Sequence, residues 1–248
     1  MRDLVLIHGA WQGGWVWDDL LPLLAARGIR GHALDLPGNG SDGAPPAAAS
    51  LARYTDHTVR ALAELGGPAW VLGHSGGAVT AQQVAETVPW LVRGVICLAG
   101  IMLPSGVRYT DIVRALGPAH PPDAGIVPHL RWSADRRVSS VPAAAGAEIF
   151  LNDVPRDRAL AAAARLTAQA ESGRDIVPVL SPARWGSLRR VYIGATQDSS
   201  ILPVAQTLMQ DLAGDIERHR IDAGHAPQVS RPAELAALLD MLVHTMSR

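Results

Sequence analysis

The stretch Trp70-Val71-Leu72-Gly73-His74-Ser75-Gly76-Gly77 decides how this chain is read. Its apolar start runs into Gly73-His74-Ser75-Gly76-Gly77, which matches G-x-S-x-G without a mismatch. The pattern describes a strand that turns sharply into a helix and leaves one serine exposed at the bend. Glycine at 73 and 77 suits such a bend, where a side chain would collide with neighbouring backbone. Beyond it, polar Thr80, Gln82 and Gln83 interrupt apolar Ala78, Val79, Ala81, Val84, Ala85 and Val88. That spacing predicts a helix of several turns, ending before Pro89. Ser75 is therefore a candidate nucleophile, against the plainer reading of a glycine-rich turn whose serine caps a helix.

Working outward, the same strand-then-helix alternation recurs. Leu4-Val5-Leu6-Ile7 is a fully apolar run, as in a buried parallel strand. A helix is expected over 15–26 with Gly28 as its stop, and a strand over 30–36 that breaks at Asp35-Leu36-Pro37-Gly38-Asn39-Gly40. Ser50 is placed to cap a helix over 51–65, closed by Gly66-Gly67. Strands follow over 69–73 and 94–99. The fold expected is α/β, a doubly wound, mostly parallel sheet covered on both faces. From about 102 to 186 prolines become frequent and apolar runs short, with the clearest helix over 156–170. This segment reads as a mostly helical lid insertion within a single domain spanning 1–248. Alternation then resumes with a strand over 190–195, a helix over 203–212, a strand over 216–221 and a helix over 232–246.

Composition excludes several classes of activity. Apolar residues make up 48% and charged residues 18%, with a formal net charge of −1, so there is no electrostatic footprint for nucleic acid or an anionic membrane. None of the 22 basic residues is lysine, which rules out Schiff-base chemistry and a phosphate-cradling G-x-x-x-x-G-K. Cys97 is the only cysteine, and its apolar surroundings suggest a small core residue. The histidines do not fall at zinc-ligand spacing, Gly9, Gly13 and Gly14 do not form G-x-G-x-x-G, and neither metal nor cofactor is expected. The strand-like opening run predicts no signal peptide or transit peptide, and no apolar stretch approaches the roughly 18 residues of a membrane span. A soluble cytoplasmic protein is the expectation, with a homodimer left open.

A serine attacks a carbonyl only when a base removes its proton and a third group orients that base. On sheets of this kind the order along the chain is serine, acid, histidine. The base candidate is His225 in Asp222-Ala223-Gly224-His225-Ala226-Pro227, and the acid candidate is Asp198 in Gly194-Ala195-Thr196-Gln197-Asp198. Each follows an expected strand, so both emerge on the sheet edge that carries Ser75. Asp222 is a weaker rival, only three residues before His225, and His74 is read as structural. Backbone N–H groups aimed at a developing oxyanion are each worth about 3 kcal/mol. The N–H of Gly76 is one candidate, and that of Ala10, on the loop after the first strand, is the other. Trp11, Met102, Trp132 and Trp185 are candidate substrate contacts suited to an apolar or aromatic group, unless the tryptophans only hold the lid on the sheet.

With these residues assembled, the chain resembles the α/β-hydrolase superfamily, and within it the plant methylesterases, hydroxynitrile lyases and their bacterial esterase relatives. Leu4-Val5-Leu6-Ile7-His8-Gly9-Ala10-Trp11, Gly13-Gly14-Trp15-Val16-Trp17 and the Ser75 turn carry the resemblance. Ile101-Met102-Leu103-Pro104, Arg165-Leu166-Thr167-Ala168-Gln169 and Gly224-His225-Ala226-Pro227 add to it, while Asn39 stands where that branch often has histidine. The resemblance implies cleavage of a small or medium apolar ester, methyl esters among them, through an acyl-serine. Ser75 would attack, His225 relay the proton and Asp198 orient His225. The lyases place a lysine directly after the histidine; Ala226 here argues against cyanohydrin cleavage. The same triad would serve a tailoring hydrolase for a thioester, lactone or polyketide-like intermediate, and a non-catalytic receptor could retain it.

Overall fold

The structure, a computed structural model, describes residues 1–245. In chain order its elements are β1 (Arg2–Ile7), α1 (Leu21–Ala25), β2 (Ile29–Leu34), α2 (Leu51–Glu64), β3 (Ala69–His74), α3 (Gly77–Thr87) and β4 (Val92–Leu98). Then come α4 (Tyr109–Leu116), β5 (Arg131–Trp132), β6 (Val138–Ser140), α5 (Ala143–Ile149), α6 (Arg156–Ala163), β7 (Gln169–Ala170) and α7 (Glu171–Arg174). The chain closes with β8 (Arg189–Ala195), α8 (Pro203–Leu212), β9 (Glu217–Ile221), α9 (Pro227–Ser230) and α10 (Pro232–His244). Among the described residues, one sheet holds six strands in the order β2-β1-β3-β4-β8-β9. All its pairings are parallel.

Alternation along each strand splits the apolar runs between two cores. Leu4, Leu6, Trp70, Leu72, Ile96 and Leu98 face α1 and α10, while Val5, Ile7, Val71, Val95 and Cys97 face α2 and α3. Both faces are covered, which is why these strands read as continuous hydrophobic runs. The outer strands are different. On β2, Arg30 and His32 bond Asp3 at 2.6 and 2.7 Å; on β9, Glu217 bonds Arg189 and His219, each at 2.7 Å. No described helix is long and apolar enough to cross a membrane.

Three expectations about elements need correction. The helix expected over 15–26 is a 3-10 turn, Gly14–Trp17, followed by the short α1. Pro22 fits only the first turn of a helix, so α1 starts beside it instead of running on from Trp15. The helix expected over 156–170 ends at Ala163, and Gln169–Ala170 pair with β6 instead. Alanine-rich propensity there yields to long-range contacts, among them the bond from Thr167 N to Trp11 O at 2.8 Å. The segment between β4 and β8, expected to be mostly helical, also carries an antiparallel sheet in the order β5-β6-β7. The last helix was expected to reach Met246, which lies outside the described residues.

Candidate active site

β3 delivers Ser75 at its carboxyl end with a left-handed φ of 53°. A side chain at Gly77 would put its Cβ 2.4 Å from the carbonyl oxygen of His8, and one at Gly73 would lie 2.5 Å from Ala78 Cα. The bend therefore closes only with glycine on either side of the serine. Ser75 N bonds Leu98 O at 3.2 Å, and Ser75 O accepts from Ala78 N and Ile101 N at 3.1 and 2.9 Å. A strained backbone position is held by its surroundings in this way.

Asp198 and His225 arrive from the ends of β8 and β9. His225 is 1% exposed and Asp198 3%. The Nδ1–H of His225 donates to Asp198 Oδ2 at 2.9 Å, which leaves Nε2 to accept from the Ser75 hydroxyl at 3.1 Å. Asp198 Oδ1 accepts from Ser200 N and Ile201 N at 2.7 and 2.9 Å, and Oδ2 also accepts from Gln206 Nε2 at 3.0 Å. Gln206 bonds Ala195 N and Ile201 O as well, so its amide is fixed. The rival Asp222 is exposed and turned away, bonded by Thr196 Oγ1 at 2.7 Å and Gln197 Nε2 at 2.8 Å. Those two donors, Thr196 first, hold its carboxyl below the usual range.

His74 underlies the cluster. Its Nε2–H donates to His225 O at 2.8 Å, and its Nδ1 lies 3.0 Å from Gln12 Oε1. Burial, with His225 adding to it, pushes its pKa well below the ordinary histidine value, so the ring stays neutral beside His225. His8 is pushed the same way, chiefly by burial; its Nε2 accepts from Leu36 N at 3.1 Å. The loop after β1 brings Ala10 to Gly76: a Cβ built on Gly76 would lie 3.9 Å from Ala10 N. Among the described residues, neither of these two N–H groups donates to a protein acceptor. Two unspent donors at the serine are what an oxyanion needs. No three His, Cys, Asp or Glu side chains of the described residues converge as a metal site requires.

Ser75 opens on a cavity of about 340 Å³. Leu36, Ile101, Val113, Ile126 and Ile201 give it an apolar wall, with Trp11 beside Ala10. Of the expected substrate contacts, only Trp11 lies on that wall. Met102 is 1% exposed in the core under α3, because the chain after β4 turns Ile101, its neighbour, towards the cavity. Trp185 is buried in the same core, its backbone N–H donating to Glu86 Oε2 at 3.1 Å. Trp132 sits on β5 beneath the Arg136 guanidinium, 5.0 Å from the ring centre. Three wall residues that sequence reasoning left unassigned form a closed ring of hydrogen bonds. Asn39 Nδ2 donates to Gln169 Oε1 at 2.9 Å, Gln169 Nε2 to Tyr54 OH at 3.2 Å, and Tyr54 OH to Asn39 Oδ1 at 2.7 Å. Gln169 ends one of the stretches that carried the family resemblance, the one signal that pointed to it. Burial raises the Tyr54 phenol to about 12, so it stays a neutral donor.

Known proteins share this architecture. The chain is 29% identical over 253 residues to a pyrethroid hydrolase of Sphingobium wenxiniae, covering 95% of this chain and 85% of that one. It is 23% identical over 259 residues to methyl jasmonate esterase 1 of Vitis vinifera, covering 99% and 98%. A crystal structure of a pyrethroid hydrolase superposes with a TM-score of 0.82 at 26% identity, over 98% of this chain and 97% of that one. The family model described as the alpha/beta hydrolase family matches residues 4–238, and together with the strand order and the serine turn this makes the chain a member of that family.

Proposed function

We propose that the chain is a serine carboxylesterase for small or medium apolar esters, methyl esters among them. The observation that carries this is the line of hydrogen bonds Ser75–His225–Asp198, 3.1 and 2.9 Å long, at the mouth of an apolar cavity. Ser75 Oγ attacks the ester carbonyl as its proton passes to His225 Nε2. The tetrahedral oxyanion is met by the N–H groups of Ala10 and Gly76. Collapse expels the alcohol, which takes the proton back from His225, and leaves an acyl-serine. Water, activated by the same His225, then releases the acid. Asp198 keeps Nδ1 protonated, so that Nε2 is the atom facing the serine throughout.

The cavity volume suits a small ester, and its walls suit a hydrocarbon or aromatic acyl or alcohol group. The names of the relatives, a pyrethroid hydrolase and a methyl jasmonate esterase, support ester cleavage of that kind. In this reading the segment over 102–186 is the lid that walls the cavity, within one domain, and the enzyme works in the cytoplasm.

The test is hydrolysis of an aryl acetate, an aromatic methyl ester, a lactone and an acyl thioester by wild type and Ser75→Ala, with fluorophosphonate labelling of both. Turnover and labelling by wild type are expected, with loss of both in the variant by several orders of magnitude. Preference for the thioester or lactone would redirect the substrate assignment to a tailoring hydrolase. Absence of both turnover and labelling in the wild type would overturn the enzyme reading in favour of a small-molecule receptor.

A further inference from the structure

We infer that the segment between β4 and β8 holds the second oxyanion donor in position, with Gln169 and Ser139 acting as positioning residues for the Ala10 N–H. The inference rests on the serine esterase reading above and adds to it a part for residues far from the serine in sequence.

Ala10 sits between two anchors. Upstream, Gly9 is held from within its own loop: its N–H donates to Gln12 Oε1 at 3.0 Å and its carbonyl accepts from His8 Nδ1–H at 2.8 Å. Downstream, Trp11 is a non-glycine residue at φ 61°, a conformation that needs outside support. A turn bond from Gln12 N to Gly9 O at 3.3 Å closes the bend from within the loop, and the partners of Trp11 itself come from the segment between β4 and β8. Trp11 N donates to Gln169 Oε1 at 3.3 Å, Trp11 O accepts from Thr167 N at 2.8 Å, and the indole Nε1–H donates to Ser139 Oγ at 3.1 Å. Each polar atom of Trp11 is thus bonded to that segment. Ser139 and Gln169 are register partners across β6 and β7, so their side chains share the face that meets Trp11. The Gln169 amide cannot swing: it is locked by Asn39 and Tyr54, and its Nε2 also donates to Ala170 O at 3.0 Å. The Trp11 ring packs in the apolar cluster of the same segment, 6.1 Å from Phe150 between ring centres.

A segment that only walled the cavity would set which substrates bind. One that holds Trp11 also sets where the Ala10 N–H points, a property felt in the transition state. Gln169→Leu removes the acceptor of Trp11 N and breaks the ring with Asn39 and Tyr54. It is expected to lower kcat by about 10- to 100-fold with KM changed by less than about threefold, since a misplaced oxyanion donor costs mainly in the transition state. The rate of fluorophosphonate labelling should fall in parallel. Gln169→Glu keeps an acceptor for Trp11 N but sets its second oxygen against Ala170 O, so it should recover only part of the lost kcat. Ser139→Ala, at a side chain off the cavity wall, should lower kcat by about three- to tenfold with KM unchanged. Should Gln169→Leu fail to fold, the other two variants carry the test. A change confined to KM, or kcat within about twofold of wild type in folded Gln169→Leu or in Ser139→Ala, overturns the inference while leaving the esterase reading intact. A wild type that neither turns over nor is labelled overturns both.

Discussion

The sheet and the segment between β4 and β8 meet at Ser75, and they are built by different rules. In the sheet, each residue of the proposed triad lies within a few positions of the strand that delivers it: Ser75 after β3, Asp198 after β8, His225 after β9. Short-range pattern is enough, because parallel strands buried on both faces align their carboxyl ends on one edge. In the segment between β4 and β8 the elements are short, and their placement is decided by contacts over great distances along the chain. Asn39 and Gln169 are 130 residues apart, yet share a hydrogen bond at 2.9 Å. The difference teaches that the hydrogen-bonded line Ser75–His225–Asp198 is placed by the strand ends, and its surroundings by docking.

Substitutions can break or sharpen this contrast. The largest effect is expected at the strand ends. Asp198→Asn would leave His225 without its anionic partner and lower kcat by about 10⁴-fold. Gln206→Leu, which removes one of the donors holding Asp198 Oδ2, would lower it by about tenfold, and steady-state kinetics of the two variants would compare them directly. Equal losses would mean that Asp198 works only when Gln206 orients it.

A smaller effect on activity is expected at Met102, and here the quantity that changes is stability. Met102→Ala opens a hole in the core under α3 and should cost about 2–5 kcal/mol in denaturant unfolding. KM for the preferred ester should stay unchanged; a raised KM with intact stability would return Met102 to the cavity wall.

These expectations also mark what was legible in the sequence. That Ser75, Asp198 and His225 come together was legible because a turn, two strand ends and one chain order converge on them. Trp185 and Met102 lie off the cavity wall, and this was hidden for a physical reason: a large apolar residue looks alike whether it lines a cavity or fills a core, while Trp132 is a half-buried ring covered by Arg136. Trp11 differed only in sitting next to a glycine-rich loop of fixed position. Tyr54, Asn39 and Gln169 were hidden for the opposite reason, since a polar side chain on a helix, a turn or a short strand reads as solvent-facing until its partners are known. The helix expected over 156–170 failed at Ala163 on the same account: Thr167 and Gln169 were committed to Trp11, and local propensity could not register it.

The smallest effect is expected far from the site, at Asp3. The Arg30 guanidinium bonded to it, with His32 adding, holds its carboxyl at about 2, below the 3.8 of an unperturbed aspartate. Because the folded-state value is depressed, this contribution is complete above about pH 4 and is lost as pH falls towards 2. Asp3→Asn should therefore flatten the decline in stability across that window, seen by thermal unfolding at stepped pH. At neutral pH it should cost less than about 1 kcal/mol, because Arg30 is exposed.

The outer strands have a consequence for how copies of the chain behave towards one another. An edge strand offers a row of unpaired N–H and C=O groups to any strand that arrives. β9 reads Glu217-Arg218-His219-Arg220, and β2 presents Arg30 and His32 along with its backbone. A newcomer docking there would have to strip water from several ionised groups at once, so sheet growth from either side is opposed. Among the described residues the sheet has six strands, and both of its margins carry charged side chains that a seventh strand would have to desolvate.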